Sequence, residues 1–144
     1  MYCNIKISIK SKEKYVKAII DTGNFLKEPI SKTPVIVVEK EKLQEIVPSY
    51  ILENLNKIIN GDEIDLKEYI PILKIIPFTS LGKENGILVG LKADNVLIEL
   101  EENVINIINV IIGIYDGELS KSNKYNALIG LELLETNEYQ FQTL

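Results

Sequence analysis

The chain has 144 residues, of which 46% are hydrophobic and 26% are charged, and its formal net charge is −5. This length suits one domain with a hydrophobic core, and the composition excludes a disordered chain. The negative charge argues against a nucleic-acid partner, because binding to phosphates requires concentrated positive charge. The sequence contains no histidine, which excludes Ser-His-Asp and Cys-His catalysis and HExxH zinc sites.

The single cysteine, Cys3, excludes an internal disulfide and a CxxC metal pair. We expect it to be a small apolar residue of the first strand, and we predict neither a metal nor a cofactor. The uncharged, mainly apolar stretch 104–115 is shorter than the roughly 20 residues that a membrane-spanning helix needs. The sequence also begins without the apolar core of a signal peptide. The chain as given is therefore expected to be soluble.

Periodicity in the first half predicts a hairpin, a short strand and a helix. Apolar residues alternate with polar residues at the start of the chain, as in a half-buried strand. Ser49 is the predicted N-cap of the helix, and Gly61 is predicted to end it. The predicted elements are strands at 3–9, 15–20 and 34–38, a helical turn at 41–47 and a helix at 49–59.

The second half is predicted to be rich in strands. Asp116-Gly117 is a strong signal for a tight hairpin between the strand before it and the strand after it. Residues 135–144 have no predicted role and are treated as a C-terminal tail. The predicted elements are strands at 72–78, 86–91, 96–100, 104–108, 111–115 and 127–129, and a short helix at 131–135. The sequence thus predicts one mostly-β domain over residues 1–144 with one or two helices.

The candidate site is the triplet Asp21-Thr22-Gly23, at the end of the second predicted strand. Without histidine, a carboxylate is the remaining group that could activate water. Peptide hydrolysis by carboxylates needs two of them sharing one proton. Since the triplet occurs once, the second carboxylate would come from an identical subunit, with Asp21 facing Asp21 across a two-fold axis. The alternative is a turn in which Asp21 merely hydrogen-bonds its own backbone.

The order of motifs resembles that of retroviral-type aspartic proteases. An N-terminal hairpin leads to the Asp-Thr-Gly loop, a second hairpin follows, and Leu128-Ile129-Gly130 enters a short helix. Three segments also resemble the peptidase domain of the sporulation sigma-E factor processing peptidases. They are I-D-T-G-N at 20–24, P-I-S-K-T-P-V at 29–35 and I-P-F-T-S-L-G-K-E-N-G at 76–86.

These resemblances imply a closed, retroviral-protease-like β domain, equivalent to half of pepsin. They imply an aspartic endopeptidase, active as a homodimer, that removes the pro-sequence of the sigma-E precursor. A secreted signal protein from the forespore would be its activator. The whole protein would lie at the cytoplasmic face of the mother-cell membrane, behind a multi-span segment.

The resemblance also implies roles for individual residues. Asp21 would be catalytic, Thr22 would hydrogen-bond across the dimer axis, and Gly23 would let the backbone approach the carboxylates. Asn24 stands where most aspartic proteases have Ser or Thr. Leu128, Ile129 and Gly130 would support the active-site loop. The flap closing on substrate would consist of Ser80, Leu81, Gly82, Lys83, Glu84, Asn85 and Gly86, a segment that could also be an ordinary exposed loop.

The sequence leaves two alternative functions open, and one segment differs from the small retroviral proteases. A catalytically silent β-rich module that binds a protein partner would tolerate loss of the Asp21 carboxyl group. An unrelated retroviral-type peptidase with another substrate is disfavoured by the motif at 76–86. Residues 40–69 form a predicted helical insertion that small retroviral proteases lack.

Overall fold

One mixed ten-stranded sheet organises the computed structural model, which describes residues 1–23, 26–79, 85–136 and 139–143. The strands are β1 (Tyr2–Ile9), β2 (Lys12–Asp21), β3 (Val35–Glu39), β4 (Leu73–Thr79), β5 (Asn85–Lys92), β6 (Asn95–Glu99), β7 (Asn103–Ile107), β8 (Ile111–Tyr115), β9 (Ala127–Gly130) and β10 (Tyr139–Thr143). Their order across the sheet is β10-β7-β6-β1-β2-β9-β3-β8-β5-β4. The prediction of a mostly-β fold is confirmed, as are the hairpins β1–β2, β4–β5 and β6–β7.

The sheet is open, so the prediction of a closed β domain is wrong for the described part of the chain. β10 and β4 are its two edges, and each has a single neighbouring strand. Pro77 of β4 suits an edge position, because proline has no N–H to donate to a further strand. β10 pairs with β7 in antiparallel fashion, and thus part of the segment predicted as a tail is a strand.

Short helices follow β3 and β9. In the described part of the chain, the helices are two 3₁₀ turns at Lys40–Leu43 and Lys67–Ile72, and three α-helices, α1 (Ser49–Leu52), α2 (Leu55–Asn60) and α3 (Leu131–Thr136). The predicted count of one or two helices is therefore too low. None of the described helices is long and apolar enough to cross a membrane.

The single helix predicted over 49–59 is divided between α1 and α2. Asn54 leaves the helical conformation, with φ −126° and ψ 27°, and its side-chain amide donates to the Tyr50 carbonyl over 2.7 Å. Pro48 occupies the N-cap position of α1, so the predicted cap at Ser49 is wrong. Gly61 ends α2 with φ 78°, as predicted, because glycine adopts this left-handed conformation without a Cβ clash.

Two apolar clusters form the core. The larger one joins Ile5, Ile7 and Ile9 of β1 to the side chains under α1 and α2. These three isoleucines are fully buried, as the period-two alternation of β1 predicts. The smaller cluster lies between β3 and the β4–β5 hairpin, and contains Val35, Val37, Ile76, Leu88 and Ile111.

The hairpin predicted at Asp116-Gly117 does not form. β8 pairs with β3 and β5, whereas β9 pairs with β2 and β3. The connecting loop is held by Glu39, whose side chain accepts hydrogen bonds from the Leu119 N–H (2.7 Å) and the Asn126 side-chain amide (2.9 Å). Glu39 is only 4% exposed, and satisfying a buried carboxylate in this way outweighs the local turn preference.

Candidate active site

Asp21 is the last residue of β2, and the parallel strand β9 lies directly beside it. The register places Asp21 opposite Gly130 and Ile20 opposite Ile129. β9 also pairs with β3 on its other side, so it is enclosed by two strands. The structure therefore brings together the Asp-Thr-Gly triplet and the Leu128-Ile129-Gly130 segment, from opposite ends of the chain.

The turn after β2 is closed by the aspartate itself. The Gly23 N–H donates to Asp21 Oδ1 over 2.9 Å. This is the local turn bond that the alternative interpretation of the triplet expects, and it also orients the carboxylate. Asp21 is half-buried, and Thr22 and Gly23 are exposed. A carboxylate fixed at a strand end, next to an exposed turn, is positioned to meet another molecule.

The predicted flap falls mostly outside the described residues, as does Asn24. Asn85 begins β5, and Gly86 pairs with Phe78 across the hairpin. A Cβ on Gly86 would lie 2.3 Å from Phe78 Cζ, so a larger residue there would displace the Phe78 ring. In the sheet order, β9, β3 and β8 separate this hairpin from β2. The prediction that 80–86 closes over Asp21 stays a prediction.

The helical insertion at 40–69 lies against the β4–β5 hairpin and β8. A groove of about 470 Å³ separates the insertion from these strands. Ile87, Val89 and Ile114 line one side of this groove, and α2 lines the other. An ion pair between Lys40 and Asp116 (3.2 Å) lies at its rim. Asp21 does not line the groove, whereas Gly86 of the predicted flap does.

One contact near the site had no signal in the sequence. Lys27 Nζ lies 2.7 Å from Glu132 Oε1. This ion pair ties the segment after the triplet to α3, which follows Gly130. Residues so far apart in the chain give no local pattern, and only the pairing of β2 with β9 brings them together. Among the described residues, no three His, Cys, Asp or Glu side chains are grouped closely enough to hold a metal ion.

The sequence of this chain matches a known protein family. The family model Peptidase_U4, described as sporulation factor SpoIIGA, matches residues 1–133. The chain belongs to this family. The resemblance predicted from the motifs at 20–24, 29–35 and 76–86 is thus confirmed.

Relatives of the SpoIIGA family match most of this chain. The sporulation sigma-E factor-processing peptidase of Priestia megaterium is 30% identical over 138 residues, which is 94% of this chain and 45% of the relative. The peptidase of the same name from Bacillus subtilis is 27% identical over 91% of this chain and 44% of the relative. A putative sporulation sigma factor-processing peptidase of Bacillus thuringiensis is 28% identical over 90% of this chain and 82% of the relative.

The chain spans less than half the length of the Priestia and Bacillus subtilis relatives. No solved structure matches it.

Proposed function

We propose that this chain is the catalytic domain of an aspartic endopeptidase that works as a homodimer on the sigma-E factor precursor. The observation that supports it most is the position of Asp21, at the end of β2 and opposite Gly130 of β9. The chain belongs to a peptidase family and lacks histidine, so a carboxylate is the strongest candidate for activating water.

The chemistry needs two copies of Asp21. When two carboxylates approach closely, repulsion between like charges keeps one proton bound to the pair. The ionised carboxylate accepts a proton from water as the water oxygen attacks the carbonyl carbon of the scissile peptide, and the protonated carboxyl donates to the carbonyl oxygen. The tetrahedral intermediate then breaks its C–N bond, and the leaving amine takes a proton from the carboxyl pair. The sequence contains one Asp-Thr-Gly triplet, so the second carboxylate belongs to a second copy related by a two-fold axis.

The half-site is assigned to the retroviral-protease type on the order of motifs along the chain, in which the Asp-Thr-Gly turn precedes a hairpin and then Leu128-Ile129-Gly130. β2 and β9 are parallel, and β9 is antiparallel to β3, which leaves the Asp-Thr-Gly turn at the end of an enclosed strand pair. In the assembled peptidase, Thr22 joins the two loops, and the β4–β5 hairpin covers the substrate. In the longer protein, the domain lies at the cytoplasmic face of the membrane and is activated by a secreted signal protein from the forespore.

The experiment that tests this proposal is cleavage of the sigma-E precursor in cells that also produce the full-length peptidase and its signal protein. Wild type is compared with Asp21→Asn and with Asp65→Asn as the matched control. Asparagine keeps an acceptor oxygen for the Gly23 N–H, so the turn is retained, but it cannot share the catalytic proton. Asp65 is exposed and makes a surface ion pair with Lys67.

We expect the control to cleave like wild type and Asp21→Asn to lose at least about hundredfold in rate, the scale of general acid–base catalysis. At a constant total amount of peptidase, co-producing wild type and Asp21→Asn in equal amounts should leave about one quarter of the activity, because only dimers with two carboxylates work. Equal cleavage by Asp21→Asn and wild type would contradict the proposal and favour a silent binding module.

A further inference from the structure

Residues 27–34 form a tight hairpin loop shortly after Asp21, here called the 27–34 hairpin. Lys27 and Pro34 form an antiparallel bridge at its base. The Glu28 N–H donates to the Thr33 carbonyl over 2.8 Å, and the Lys32 N–H donates to the Glu28 carbonyl over 2.9 Å. Lys32 adopts φ 63°, a left-handed conformation that closes the turn.

Side chains fix the tip of the 27–34 hairpin further. The buried Glu28 carboxylate accepts the N–H of Ile30 (2.9 Å) and the N–H of Ser31 (2.8 Å), one on each oxygen. The Ser31 and Thr33 hydroxyl groups are hydrogen-bonded to each other over 2.8 Å. The two bonds to the Glu28 carboxylate are charge-assisted and therefore stronger than neutral ones, so they stabilise this conformation of the tip.

The base of the 27–34 hairpin is anchored to the candidate site. Lys27 pairs with Glu132, two residues beyond Gly130, which lies opposite Asp21. The Val35 N–H donates to the Leu26 carbonyl over 3.0 Å just outside the base. The base of the hairpin and the strand that ends in the Asp-Thr-Gly turn therefore both contact the segment formed by β9 and α3.

The tip of this rigid loop carries Ile30, which is 90% exposed and is the most exposed large hydrophobic side chain among the described residues. A single exposed apolar residue is ordinary on a mobile surface. Here the backbone is already ordered, so docking Ile30 against another surface costs little further conformational entropy. Such a preorganised apolar tip is suited to a protein contact.

The direction of the strands indicates which molecule it meets. β3 begins directly after the 27–34 hairpin and runs antiparallel to β9, with Val37 opposite Leu128. The hairpin therefore lies at the end of the sheet where β9 and β2 finish and where Asp21 is found. Resting on the proposed function, this end faces the second copy, because the two Asp21 carboxylates must meet there. We propose that the 27–34 hairpin is a dimer contact and that Ile30 docks against the second copy.

Sedimentation equilibrium of the purified chain tests the contact directly. Ile30→Ser should raise the dimer dissociation constant by about tenfold or more, since two buried isoleucines are lost from each dimer. The matched control is Ile70→Ser. Ile70 is 63% exposed and lies two residues after Glu68 in the chain. The Glu68 carbonyl accepts a hydrogen bond from Lys10 in the β1–β2 turn. This turn is at the opposite end of β2 from Asp21. We expect Ile70→Ser to leave dimerisation unchanged, and an equal effect of both variants contradicts the inference.

A second measurement identifies the molecule that Ile30 touches. A photo-crosslinking amino acid replaces Ile30 in the full-length peptidase, in cells that also produce the signal protein and the precursor. We expect a covalent adduct of two peptidase copies. The same adduct should form when the crosslinking chain also carries Asp21→Asn, because the contact does not use the carboxylate. An adduct with the precursor alone, or no adduct, overturns the inference. Cleavage by Asp21→Asn would refute the proposed function whatever adduct forms, so the two failures are distinguishable.

Discussion

Lys27 and Glu132 form an ion pair, with 2.7 Å between Nζ and Oε1, that fastens the segment after Asp21 to the helix after Gly130. The two side chains are 36% and 28% exposed, so the pair is only partly solvated. Interactions in such surroundings are screened less than those at a fully exposed surface. The pair thus stabilises the arrangement of the two segments that flank the candidate active site.

A double-mutant cycle measures that contribution. For Lys27→Met and Glu132→Gln, we expect a coupling free energy of about 1 kcal/mol from urea unfolding. The control cycle uses Lys67→Met and Asp65→Asn, because that pair is 3.4 Å apart and its side chains are 74% and 65% exposed. Its coupling should be close to zero. Equal coupling free energies in the two cycles would show that partial burial does not strengthen the Lys27–Glu132 ion pair.

The Glu28 carboxylate should make stability depend on pH. Hydrogen bonds from the N–H groups of Ile30 and Ser31 lower the pKa of Glu28 below its usual value. A carboxyl group whose pKa is lower in the folded state stabilises the protein above the unfolded-state pKa of about 4.3, and this effect is lost as pH falls through the folded-state pKa. Relative to Glu28→Gln, the wild-type advantage in free energy of unfolding should therefore shrink below about pH 4.3.

Urea unfolding of wild type and Glu28→Gln between pH 7 and pH 3 checks this. Glu41→Gln, at an exposed residue of the 40–43 turn, is the control. A difference between wild type and Glu28→Gln that stays constant over this range would contradict the assignment.

Gly90 lies where two strands of the smaller apolar cluster meet. A Cβ there would lie 2.7 Å from Ile111 Cγ2 and 3.1 Å from Ile76 Cγ1, and both isoleucines are fully buried. Because neither side chain has space to move, Gly90→Ala should lower the free energy of unfolding by about 1–3 kcal/mol. The comparison is Gly61→Asn, where nothing lies within 4 Å and asparagine tolerates φ 78°. Chemical denaturation of both variants measures the difference, and a Gly90→Ala protein as stable as wild type would refute it.

Cys3 should be unreactive in the folded protein. Burial raises the pKa of its thiol to about 11, and the residue is 8% exposed. The thiolate, which is the reactive form, is then scarce at pH 8. We expect labelling by a thiol-specific disulfide reagent to be about a hundredfold slower than at an unperturbed thiol, and to become complete in denaturant. Ser122→Cys, in an exposed loop, provides the reference thiol in the same chain. Equal rates at the two thiols would contradict this.

The parts of the fold that were predicted correctly depend on local pattern. Alternating apolar residues in β1 predicted its buried face, and the β4–β5 and β6–β7 hairpins were recognisable from their turns. The error at Asp116-Gly117 has a non-local cause, because buried Glu39 binds Leu119 and Asn126 from the following loop. No property of residues 116–126 alone reveals that the next strand pairs with β2 and β3.

For the candidate site too, the contiguous motif was predicted from the sequence, and the contacts between distant residues were not. Asp21-Thr22-Gly23 is a contiguous motif, so it could be found in the sequence, and the order of elements pointed to Gly130. The 27–34 hairpin and the Lys27–Glu132 pair were not recognised, because their meaning depends on which strands become neighbours. Ile30 in particular looks unremarkable until its neighbours are seen to fix the backbone around it.

The pairing of Asp21 with Gly130 also determines when the candidate site can form during synthesis and folding. β2 is synthesised well before its parallel neighbour β9, because six strands lie between them in the sequence. Contacts of such long sequence separation form late, since a large loop must close first. A nascent chain therefore carries the Asp-Thr-Gly turn before Gly130 can lie beside it. The geometry of the candidate site is therefore complete only after β9 has been synthesised and has paired with β2.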